Sequence, residues 1–130
     1  MTQKIFSGGE TFGKGVRNAN ISDDQLVQTL ADYRRRVVGG YRALLPDDID
    51  SIPHGPSWVS TKLDGELWFL VKREGWLALI NPKGRVIHGD LPVIAAANDL
   101  PEGVILAGEL TVDMGEKRAR IGDLLAALSQ

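Results

Sequence analysis

One lysine of this chain lies among residues that could make it a nucleophile. Lys62 falls in Ser60-Thr61-Lys62-Leu63-Asp64-Gly65-Glu66, after Ser57-Trp58-Val59 and before Leu67-Trp68-Phe69-Leu70-Val71. Both flanks are rich in the aromatic and branched residues that favour strands. An amine attacks only when neutral, so a nucleophilic lysine needs burial or a cationic neighbour. Two flanking strands would desolvate Lys62, and Asp64, two positions on, would share its strand face. Glu109 is the second unusual group, a carboxylate inside the apolar run Val104-Ile105-Leu106-Ala107-Gly108-Glu109-Leu110-Thr111-Val112. A carboxylate there calls for a cation, a metal or ligand hydroxyls. The plainer alternative makes Lys62 a snorkelling residue beside an ordinary Asp-Gly turn.

Composition excludes other chemistries. The chain has no cysteine, hence no disulfide, thiolate metal site or cysteine nucleophile, which fits a cytoplasmic setting. The two histidines, His54 and His88, are too few for a histidine-built metal site and read as exposed loop residues near Pro53 and Gly89. A formal net charge of -2 leaves any nucleic-acid contact to a local patch. Arg34, Arg35 and Arg36 are the candidate: a solvated helix face, or a phosphate-binding patch for nucleic acid. No apolar run reaches membrane-spanning length, and no charged-then-apolar leader is present.

The elements that must position these groups follow from pattern. With 130 residues, 43% of them hydrophobic, the chain suits one domain with a real core. Residues 1–21 hold Gly8, Gly9, Gly13 and Gly15 with Lys4, Lys14 and Arg17, and read as an irregular basic arm. Residues 22–130 read as the folded part. Ser22 and Gln25 form a capping box, with Asp23 and Asp24 in the first turn. Leu26, Leu30, Tyr33 and Val37 then predict an amphipathic helix to about Val38, closed by Gly39-Gly40. After a connection through Pro46, Asp47 to Asp50, Pro53 and Pro56, strands are predicted over 57–63, 66–73 and 76–81. Asp64-Gly65 and Glu74-Gly75 are the turns between them. Pro82-Lys83-Gly84 turns into a short strand over 85–87, followed by a short helix over 91–97, the strand 104–112 and a terminal helix over 120–128. The predicted class is α+β, antiparallel strands with flanking helices.

On these residues the chain resembles a known family. Lys62-Leu63-Asp64-Gly65 looks like the Lys-x-Asp-Gly signature of the covalent nucleotidyltransferases, the ATP-dependent DNA and RNA ligases and capping enzymes. Ile105-Leu106-Ala107-Gly108-Glu109-Leu110 resembles their next landmark, an apolar strand ending in Asp-Gly-Glu. The resemblance implies that Lys62 attacks the α-phosphate of ATP and becomes a lysyl-AMP phosphoramidate. It makes Asp64, Gly65 and Glu109 nucleotide-binding residues, with Glu109 contacting the ribose or supporting Mg2+. It implies nicked DNA, or RNA, as the partner of the complete enzyme.

The chain departs from the DNA-ligase pattern at named positions. Leu67 stands where an arginine is common, and Ser60 where a glutamate often lies near the adenine. Asn81-Pro82-Lys83-Gly84 keeps only the glycine of the usual Ser-Arg-Asn-Gly segment, so Lys83 or Arg85 is the candidate for the missing charge. The resemblance covers about residues 45–130, the front half of an adenylation domain. The family's later Phe-Asp-like, Glu-Gly and Lys-x-Lys strands, and its OB-fold domain, lie beyond that half. The expectation is the N-terminal part of an ATP-dependent DNA ligase, with little or no ligation by the 130-residue chain alone. The alternatives are a non-catalytic nucleic-acid or protein binding module built on that fold, or an RNA-ligase-like adenylating domain.

Overall fold

The run 66–73 organises the fold, because its apolar residues alternate between two faces. Trp68 packs to one side, Phe69 and Val71 to the other. The computed structural model describes residues 5–60, 62–115 and 120–128. Its elements in chain order are β1 (Phe6–Ser7), β2 (Glu10–Phe12), β3 (Gly15–Ile21), α1 (Asp24–Ala31), α2 (Tyr33–Arg36), β4 (Glu66–Arg73), β5 (Trp76–Ile80), β6 (Val86–Gly89), α3 (Pro92–Ala96), β7 (Ile105–Leu110) and α4 (Ile121–Leu128). Every strand pair is antiparallel, in the order β1-β3-β6-β5-β4-β7, with β2 also on β3. The class is therefore α+β.

Two hydrophobic layers hold the sheet. On one face Phe69, Val71, Ala78, Ile80 and Val86 meet Leu26 and Leu30 of α1. On the other, Trp68, Leu79 and Ile87 meet Ile94 of α3, with Leu128 of α4 packed alongside. Each large side chain so buried contributes roughly 1.5–3 kcal/mol. Tyr33 joins the first layer by an edge-to-face contact with Phe69, ring centroids 5.2 Å apart.

The structure corrects the reading of residues 1–21 as an irregular arm. Residues 6–21 carry three strands, and Ala19 and Ile21 are buried in the first layer; Lys4 lies outside the described residues. The glycines that suggest irregularity have structural tasks. Phe12 pairs with Gly15 across a Gly13-Lys14 turn, where Gly13 takes a positive φ of 52°. A Cβ at Gly9 would fall 2.7 Å from the Arg17 carbonyl oxygen. A small-residue hairpin therefore looks like a loop in sequence.

The helix start moves by one residue. Ser22 N–H donates to the Ile5 carbonyl, which draws it into the sheet, and Asp23 takes the cap, accepting from Leu26 N–H at 3.0 Å. The predicted single helix is also broken: α1 stops at Ala31, and α2 follows after Asp32. The acidic connection winds into a 3-10 turn, Pro46–Ser51. Glu74-Gly75 makes the expected hairpin turn between paired Arg73 and Trp76. Asn81 Oδ1 secures the next turn by accepting from the N–H groups of Lys83 and Arg85.

The largest correction is at 57–63, where no strand forms among the described residues. β7 pairs with Glu66 to Val71 on one edge of β4 and β5 with Phe69 to Arg73 on the other, so only the stretch from Glu66 to Trp68 on the β5 side is left unpaired, too short an edge for a strand over 57–63. Trp58, Val59 and Leu63 are left exposed.

Candidate functional site

Lys62 follows this unpaired segment and is itself exposed. The desolvation expected of two flanking strands is absent. Instead, the chain brings Lys62 over one end of the β4–β7 pair. Two contacts fix the approach. A Cβ at Gly65 would run into the Leu110 carbonyl oxygen of β7, so only glycine fits there. Asp64 Oδ2 accepts from Ile121 N–H at 3.4 Å, tying the signature run to the start of α4.

Glu109 reaches the same place from the other direction. It pairs in register with Leu67, as Ala107 does with Phe69, which puts both rows on the α2 side of the sheet. β7 pairs only with β4 among the described residues, and Glu109 is exposed rather than buried. The expected cost of an interior carboxylate therefore does not arise.

Between α2 and this end of the sheet lies a cavity of about 450 Å³, lined by Tyr33, Arg34, Tyr41, Lys62, Leu67, Ala107, Gly108 and Glu109. A second cavity adjoins it, sharing Tyr33 and Ala107, and adds the apolar side chains of Leu30, Val37, Phe69 and Ile105 with Arg36. Together they form a cleft with one charged and one apolar end. The charged end holds two cations, Lys62 and Arg34, and one carboxylate, Glu109. Among the described residues none of the three makes an ion pair, so their charges stay available to a ligand.

The three predicted arginines part company here. At about 3.6 residues per turn, Tyr33 and Val37 share a face, with Arg34 and Arg36 on its two sides. Arg34 and Arg36 each line part of the cleft. Arg35 turns to the opposite side and pairs with Asp32 at 3.4 Å. Lys83 and Arg85 do not line the cleft; Arg85 Nη1 donates to Asn20 Oδ1 at 2.6 Å instead. Asp64 is likewise absent from the lining, its carboxylate turned to α4.

Tyr33 and Tyr41 were not marked as site residues by sequence. Tyr33 reads there as a core position of the helix, and Tyr41 is an unremarkable residue after two glycines.

Among the described residues Glu109 is the only carboxylate lining the charged end, so it is the one side chain there that could ligate a hard cation. Mg2+ is commonly held by one or two carboxylates plus substrate phosphates. No cluster of three acidic or histidine ligands exists among the described residues, so the phosphates would have to complete its shell.

Elsewhere, a larger cavity of about 540 Å³ lies between the start of α1 and the β4–β5 turn, but it includes no residue of the signature run or of β7. His88 is not the exposed loop residue expected. It sits half-buried on β6 and stacks on Phe6 at 4.7 Å, and burial lowers its pKa below the ordinary 6.5. No helix among the described residues is long and apolar enough to cross a membrane.

Compared with family models, curated proteins and solved structures, the chain matches none.

Proposed function

We propose that this chain carries the nucleophile-bearing part of the adenylation domain of an ATP-dependent polynucleotide ligase, most simply a DNA ligase. One observation carries the reading: Lys62 and Glu109, two of the four residues singled out by the resemblance, line the same cavity although they are remote in sequence. In the reaction, neutral Lys62 Nζ attacks the α-phosphorus of ATP. An N–P bond forms, the bond to the bridging oxygen of the β-phosphate breaks, pyrophosphate leaves, and the amine gives up a proton. In the complete enzyme AMP passes to a 5′-phosphate, and a 3′-hydroxyl then displaces it.

This chain's residues would divide the work. The apolar end of the cleft, lined by Tyr33, Val37 and Ile105, offers a surface for the base. Glu109 is placed to accept from ribose hydroxyls or to hold Mg2+. Mg2+, when bound, supplies charge that offsets the phosphates. Such chemistry depends chiefly on positioning and electrostatics. Lys62 is exposed, and the nucleotide, as it settles, would exclude water from around its amine.

That exposure also favours a second reading, a non-catalytic binding module that keeps the sheet. The two separate on incubation with ATP labelled at the α-phosphate and Mg2+. The adenylation reading predicts acid-labile label on the wild-type chain and none on Lys62→Ala. Label equal in both proteins, or absent from both and from any longer product of the same gene, sinks it and leaves the binding module.

A further inference from the structure

The sequence groups Arg34 with Arg35 and Arg36 as one patch for nucleic acid, but the geometry separates them. Arg35 faces away and is held by Asp32. Arg34 lines the charged end of the cleft with Lys62 and has no carboxylate within ion-pairing distance among the described residues. Glu109 lines the same space yet leaves both cations unpaired. Two free cations against one carboxylate give that end a net positive charge, walled by the apolar Leu67 and Ala107.

We propose that Arg34 is the polyphosphate-binding residue of the Lys62 cavity, reaching it from α2. A guanidinium grips phosphate oxygens in pairs, whereas a lysine offers a point charge. Lys62 is thereby left to attack while Arg34 holds the leaving pyrophosphate. Naming ATP as the physiological ligand rests on the adenylation reading; the phosphate site itself does not.

The test titrates the full chain by calorimetry with inorganic tripolyphosphate and with ATP. It compares wild type, Arg34→Ala, Arg34→Lys and Arg35→Ala, with melting curves confirming that each folds. Arg34→Ala should weaken both ligands by about ten-fold or more. Arg34→Lys should recover part of the loss, and Arg35→Ala should bind as wild type does. Wild type that binds no tripolyphosphate overturns the proposal. So does Arg34→Ala binding it unchanged, or Arg35→Ala losing as much as Arg34→Ala, since a diffuse basic surface would do that. Tripolyphosphate binding through Arg34, with no AMP transferred to Lys62, would end the adenylation reading and leave the Arg34 site standing.

Discussion

The centre of the sheet and its β7 end are built from similar residues and used in opposite ways. In β4, β5 and β6, Phe69, Val71, Ala78, Ile80 and Val86 are almost wholly enclosed, and every strand has neighbours on both edges. At the other end, Ile105 and Leu106 of β7 are exposed, as are Trp58, Val59 and Leu63 just before β4. Lys62, Glu109 and Arg34 all belong to that open end. The contrast separates two demands. A closed sheet with packed faces fixes positions, and the less enclosed end presents groups to a ligand.

The contrast can be broken first by stability. Phe69→Ala should cost about 3–5 kcal/mol, because it empties the enclosed layer beneath α1. Lys62→Ala should change stability by no more than about 0.5 kcal/mol, because the residue is exposed. Denaturant unfolding of both variants checks the pair; equal losses would erase the distinction between the two ends.

Gly65→Ala probes the border. The added methyl meets the Leu110 carbonyl, so β7 or the signature run must shift. A loss of about 1–3 kcal/mol is expected by the same measurement. Wild-type stability would show that the two segments are not held together at this point. Asp23→Ala should then cost about 1 kcal/mol through the lost helix cap. Ser22→Ala should cost far less, since the Ser22 tie to Ile5 runs through its backbone N–H. A larger loss at Ser22 would restore the cap to the position predicted from sequence.

The smallest effect is a pH dependence at the closed end. His88 has its pKa lowered by burial, so folding favours the neutral ring. The stability linked to it is present above its ordinary value of 6.5 and is lost as pH falls through the lowered value. His88→Phe, which keeps an aromatic against Phe6, should flatten the acid limb of a melting-temperature profile relative to wild type. An unchanged difference between the two proteins from neutral pH to pH 5 would remove His88 from the account.

Much of the closed end was legible in sequence for physical reasons. Residues 66–73 alternate between two apolar faces, Glu74-Gly75 is a strong turn signal, and both were found where predicted. The site was legible only as residue types. Lys62 and Glu109 announce themselves by chemistry, but pattern does not reveal that they share a cavity. Residues 57–63 have strand-forming side chains but form no strand among the described residues, because β5 and β7 leave only the stretch from Glu66 to Trp68 of β4 unpaired on one edge. The early hairpin was hidden for the converse reason, Gly9 being required by close backbone approach and Gly13 by its positive φ. Likewise, three adjacent arginines look alike in sequence until the turn of α2 sends Arg35 away from the cleft.

The central claim is that the open end is built around a nucleophilic Lys62. Tandem mass spectrometry of the chain after incubation with ATP and Mg2+ tests it most directly. The account predicts one AMP moiety on the peptide containing Lys62, attached at Nζ. An AMP adduct on Lys72 or Lys83 instead, or spread evenly over the lysines, would contradict it.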